Sequence, residues 1–278
     1  MKKKLLPLFG MALAFLLPSC LQHETTITLN EDGSGTITEE VVLNAQMAGM
    51  LEMAQAQGEA GKNPLVEMKD ETKAKKRAQT FGEGVSFVKT EDIKTNDGGK
   101  GVRVTYKFTD INKVSLNPDE GMGDPRFISI EGGGEVELNV DEPRTTFKFA
   151  DGKLTILSPQ PEDGEDEKGA EKDGNEEAGA LDPEDPQAAM ALQMMKGLKM
   201  GARIKIPAGI AESNATYQDG NTITLFEMDL DEAIKNPGGI GALKKLEGME
   251  DPDLLRKTLK DLKGVKFETK EKVTATLK

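Results

Sequence analysis

Gly101-Val102-Arg103-Val104-Thr105-Tyr106-Lys107-Phe108 alternates apolar and polar residues to its end. Side chains along a strand point to opposite faces in turn. Val102, Val104, Tyr106 and Phe108 therefore share one face, and Arg103, Thr105 and Lys107 the other. A strand buried on one side and wet on the other belongs to an antiparallel sheet. The preceding Asn96-Asp97-Gly98-Gly99 is a turn that joins it to a partner over 85–94. The same pattern repeats outward. Thr26-Ile27-Thr28-Leu29 alternates, Asp32-Gly33 turns the chain, and Ile37, Val41 and Leu43 share a face on the return. Phe147 and Phe149 pair with Leu154 and Ile156 across Asp151-Gly152. Further strands are expected at Phe127 to Ile130, at Val136 to Val140, at Ile204 and Ile206, and from Thr222 to Leu230. A terminal hairpin is expected to pair Val265 and Phe267 with Val273, Ala275 and Leu277.

Helices are expected between these strands. One covers 45–57, with Met47, Met50, Leu51 and Ala54 at helical spacing and Met53 beside them. A second opens with Asn63 as cap and Pro64 in its first turn, and runs to Thr80, where Gly82 suits the stop. Lys69, Lys73, Lys76 and Arg77 on it read as a solvated face. A Met-rich helix is expected over Pro186 to Lys199, with Met190, Met194, Met195 and Leu198. Short helices flank Pro237-Gly238-Gly239, and a longer one starts at Asp251-Pro252.

Charge divides the chain. The formal net charge is −13, and between Glu162 and Asp185 there are twelve acidic residues, two lysines and one large apolar residue, Leu181. Such a stretch buries too little surface to offset its ordering entropy. The expected fold class is therefore α+β: a mostly antiparallel sheet built from hairpins, helices packed on one face, and a disordered acidic insertion over 159–186. Residues 20–158 and 187–278 supply the parts on either side, and 1–19 stand apart as a signal peptide. The acidity argues against nucleic acid as a partner.

The leader decides location. Lys2, Lys3 and Lys4 precede an apolar run from Leu5 to Leu17, too short to span a membrane and laid out as a secretory signal. Cys20, the chain's one cysteine, follows Leu17-Pro18-Ser19. This stretch resembles the lipobox of bacterial lipoproteins. The resemblance implies a diacylglyceryl group on the Cys20 thiol, a mature chain that starts there, and a permanent membrane anchor. Leu21 after the cysteine implies sorting to an outer membrane of the cell envelope, with the body in the periplasm or at the surface. His23, three residues on, reads as a solvated residue in a short tether over 21–24.

Asp32-Gly33-Ser34-Gly35-Thr36, the strand 101–108, and Ile206-Pro207-Ala208-Gly209 through Glu212-Ser213-Asn214 to Asp219-Gly220-Asn221-Thr222-Ile223-Thr224 form a further set. In order and spacing they resemble the LppM-type family of small bacterial surface lipoproteins, over most of residues 20 to 226. The resemblance implies an α+β domain outside a membrane, with lipid or glycolipid binding in some members and no catalytic residues to transfer.

Chemistry is sparse. With His23 as the one histidine and Cys20 acylated, Ser-His-Asp, Cys-His and His-rich zinc sites lack their parts. No nucleophile elbow, phosphate loop or metalloprotease motif occurs. No cofactor or metal is expected. Asn214-Ala215-Thr216 matches a glycosylation acceptor but reads as turn chemistry. The methionines carry two readings. Met47, Met50, Met53, Met190, Met194 and Met195 line an adaptable groove for an acyl chain, or they fill a core that lacks aromatics. The expectation is thus a non-enzymatic, lipid-anchored protein, either a binding module for an apolar ligand or a scaffold acting through protein partners.

Overall fold

The computed structural model describes residues 21–56, 63–117, 144–158, 197–235 and 262–278. The strands expected at Phe127 to Ile130 and Val136 to Val140, the acidic stretch, the helix carrying Met190, Met194 and Met195, and the helix from Asp251 lie outside the described residues. So does Cys20.

The first hairpin forms as its turn residues dictate. β1 (Leu21–Leu29) and β2 (Gly35–Leu43) pair antiparallel through all nine residues, from Leu21 opposite Leu43 to Leu29 opposite Gly35. Asp32 closes the turn by accepting from the Ser34 amide at 3.0 Å. β1 therefore begins at Leu21, and the expected tether over 21–24 is strand. His23 is 4% exposed and faces inward with Thr25, Ile27 and Leu29, because the strand's alternation continues back through residues that are all polar.

Three helices follow. Asn44 starts α1 (Ala45–Ala56), its side chain accepting from the Met47 amide at 2.8 Å. Asn44→Ala removes this cap, and the expected loss is about 1–2 kcal/mol by chemical denaturation. α2 (Pro64–Lys69) opens on the Asn63 cap as expected. It does not run on to Thr80. Asp70 takes an extended conformation, ends α2, and caps α3 (Glu71–Thr80) by accepting from the Thr72 and Lys73 amides at 2.8 and 3.2 Å. A short carboxylate that binds its own downstream amides competes with continuous helix. α3 ends at Phe81, and Gly82 leaves at φ +128°, with the Lys113 carbonyl where a Cβ would stand.

β3 (Ser86–Lys94) and β4 (Lys100–Phe108) pair as expected, with a register shift between Phe87 and Lys89. β4 pairs on its other side with β2. A 3-10 turn at Ile111–Lys113 leads to β5 (Ser115–Leu116), which pairs with β6 (Thr145–Ala150). β6 and β7 (Lys153–Leu157) set Phe147 opposite Ile156 and Phe149 opposite Leu154.

The remaining strands are β8 (Lys199–Lys205), β9 (Ile210–Ser213), β10 (Gln218–Asp219) and β11 (Thr222–Asp229), then α4 (Leu230–Lys235), β12 (Val265–Phe267) and β13 (Lys272–Leu277). Among the described residues they complete two sheets. The larger runs β10-β11-β8-β1-β2-β4-β3, with β12 on β11; the smaller runs β5-β6-β7-β13-β9. Pairing is antiparallel throughout except between β1 and β8, which run parallel with His23 opposite Met200. Each sheet takes strands from both sides of the acidic stretch. The expected terminal hairpin does not form: β12 pairs with β11 and β13 with β7 and β9, so the two end in different sheets. Their turn is occupied by Glu268, which ties it to another loop.

The larger sheet buries one face. Ile27, Leu29, Ile37, Val41, Val102, Val104, Tyr106 and Ile204 on it join Ala48, Ala74, Ala78 and Phe81 from the helices, and Phe147, Leu154, Ile156, Val273 and Ala275 from the smaller sheet. A second apolar cluster, with Leu198, Met200, Phe226, Leu230, Ala233, Leu262 and Val265, sits where α4 meets β8 and β11.

Candidate functional site

Three places in the fold carry chemistry. The first lies inside the core. Register sets Glu39 on the inner face between Ile37 and Val41, with Thr25 opposite on β1 and Val104 on β4. Its carboxylate accepts from Arg77 Nη2 at 2.8 Å, from Arg77 Nε at 3.3 Å and from the Tyr106 hydroxyl at 3.1 Å. The Arg77 guanidinium also lies 4.7 Å from the centre of the Phe81 ring, which in turn meets Tyr106 at 5.2 Å. Arg77, expected on a solvated face, is instead the side chain that fastens α3 to the sheet. Burial pushes the Glu39 carboxyl up. The Arg77 charge and hydrogen bonds, with His23 and Tyr106 behind them, outweigh burial and hold it below the ordinary range. Burial, then the Glu39 charge, raise the Tyr106 phenol. The group is a charge held neutral in sum, and its members bond one another.

Sequence reasoning missed Glu39. The signal was present, because Ile37, Val41 and Leu43 share its phase. Its neighbour Glu40 points outward, to Arg103 at 2.6 Å.

The second place is the loop joining β9 to β10. Asn214 accepts from the Thr274 amide at 2.7 Å and donates to the Lys272 carbonyl at 3.2 Å. Buried Glu268 accepts from the Thr216 amide and hydroxyl at 2.6 and 2.7 Å and from the Lys270 amide at 3.1 Å. Asn214-Ala215-Thr216 is thus held by β13 and its preceding turn. Asn214→Ala is expected to lower stability by about 1–2 kcal/mol, read by thermal melting. On the smaller sheet, Thr146, Phe147, Lys148, Phe149, Ala150, Lys153 and Thr155 with Asn112 line an open basin of about 600 Å³.

The third place is the end of the larger sheet where β1 starts. Leu21 stands opposite Leu43, and α1 begins two residues beyond Leu43. The turn between β3 and β4 lies at the same end, with Gly98 against Ala45. Lys100 at the start of β4 pairs with Glu52 in the middle of α1. Met47, half-buried, packs with Ala48 and Leu51 against the core, whereas Met50 and Met53 are 54% and 66% exposed. Of the six methionines expected to line a groove, these three share α1 and divide between core and solvent; Met190, Met194 and Met195 lie outside the described residues. Among the described residues no group of three His, Cys, Asp or Glu side chains is placed to hold a metal, and no helix is long and apolar enough to cross a membrane.

No family model matches the chain, and no curated protein matches it. A solved structure does. It is the folded domain of the Mycobacterium tuberculosis protein LppM, determined by NMR. The match covers 79% of this chain and 88% of that one, at 8% identity and a TM-score of 0.30. At that distance no residue of LppM is carried onto this sequence.

Proposed function

We propose that this protein is a non-enzymatic envelope lipoprotein, held to a bacterial membrane by acyl chains on Cys20, that presents its sheets as a binding module. One observation carries the reading. Strand pairing reaches Leu21, the residue bonded to Cys20, so an anchor on that thiol would hold the protein by the end of the central strand β1. The secretory leader before it and the lone cysteine supply the rest. Outer-membrane sorting follows from Leu21 by the lipobox resemblance.

In this reading the helices gather on the inner face of the larger sheet, as α3 does through Arg77 and Phe81. The protein is non-enzymatic in this proposal; among the described residues the buried carboxylates Glu39 and Glu268 are engaged by Arg77, Tyr106 and Thr216, outside the basin lining. An apolar or lipid ligand is the class of cargo.

Phase separation of whole cells in a cloud-point detergent tests this. The wild-type protein is expected in the detergent phase and to carry labelled palmitate. Recovery in the aqueous phase, unlabelled, would remove the proposal.

A further inference from the structure

We propose that α1 makes a second contact with the bilayer, setting Met50 and Met53 into the headgroup boundary beside the anchor. This rests on the anchored reading above and extends it from one residue to a surface.

The geometry has three parts. There is no spacer between Cys20 and β1, so the end of the larger sheet holding Leu21 and Leu43 must lie against whatever membrane the acyl chains enter. α1 is fixed at that end twice, through Asn44 directly after β2 and through the pair of Glu52 with Lys100 at the start of β4. Two of the four large hydrophobic side chains exposed among the described residues, Met50 and Met53, stand on this one helix, which carries a single charged residue, Glu52. Met47, Ala48 and Leu51 satisfy the core, so Met50 and Met53 have no packing role left. Unbranched, polarizable side chains suit the disordered boundary of a bilayer. Helices there bind in proportion to the apolar area they bury, reversibly and more weakly than a pair of acyl chains.

The chain contains no tryptophan, so one introduced indole reports alone. Met50→Trp, Met53→Trp and Val88→Trp would be prepared in the full-length lipidated protein. Each would be reconstituted in vesicles of phosphatidylethanolamine and phosphatidylglycerol with brominated acyl chains. Val88 is the control: it is 45% exposed and lies at the opposite end of β3 from Lys94, which pairs with Lys100. Emission from positions 50 and 53 is expected to shift to the blue and lose intensity to bromine quenching, with position 88 unchanged. Emission at 50 and 53 that matches 88, whether all are quenched or none, would overturn the proposal. If mass spectrometry finds the Cys20 thiol unmodified, the anchored reading has failed on its own. The thiol is then coupled to a maleimide phospholipid in the same vesicles, and the three positions are compared again with the same outcomes.

Discussion

Arg77→Ala is expected to destabilise the protein by about 3–5 kcal/mol near neutral pH. Arg77 and Glu39 are 18% and 6% exposed as side chains and meet at 2.8 Å. Removing the guanidinium leaves a carboxylate inside the sheet with the Tyr106 hydroxyl at 3.1 Å and His23 but without its main counter-charge, an arrangement that costs far more than the intact pair contributes. The loss also takes the cation from above the Phe81 ring, a smaller effect.

The pH dependence of this substitution separates the ion pair from simple packing. In the wild-type protein Glu39 titrates below its ordinary value of 4.5. Its contribution is complete above that value and is lost as the pH falls through the folded-state value, because the unfolded chain then binds the proton more readily. Without Arg77, burial loses its strongest opponent and the folded-state value rises. The variant then gains relative to the wild type as acid neutralises the stranded charge. Urea titrations at about pH 7 and about pH 4 should show the gap between the two proteins narrowing at the lower pH. A gap that stays constant would mean that Arg77 acts only through its stem.

Cys20→Ser is expected to move the protein from the membrane pellet to the soluble fraction. Two acyl chains at about 0.8 kcal/mol per CH₂ contribute on the order of 20 kcal/mol, so their loss outweighs every other contact with the bilayer. A hydroxyl in place of a thiol changes nothing in β1, whose pairing starts at Leu21. Circular dichroism and the melting temperature of the released protein should therefore match a detergent-solubilised wild type. Retention in the pellet with an unaltered melt would show that something other than Cys20 holds the protein there.

Much of the sheet was legible because its strands alternate. Val102 to Phe108 and the Phe147, Phe149, Leu154, Ile156 quartet fall where their period places them. The errors share a cause. His23 and Arg77 were expected in solvent but turn inward toward Glu39, because a reading that sends polar side chains outward has no place for an inward polar group. The terminal hairpin failed for a different reason. Val265 to Phe267 and Val273 to Leu277 have strand character, but adjacency in sequence does not choose a partner when two sheets both offer an edge. The parallel pairing of β1 with β8 was equally hidden, since it joins Gln22 to Lys199, 177 residues apart, and neither segment carries a local signal of direction. At the anchor end the helix α1 was legible from its methionines, but which of them face the core depends on how Asn44 and the Glu52–Lys100 pair set the helix.

The intact mass of the protein extracted from membranes addresses the anchor itself. The account predicts a chain that begins at residue 20 and carries the added mass of a diacylglyceryl group on the thiol. A chain retaining residues before 20, or one that starts later, or one whose cysteine has a free thiol, would contradict it.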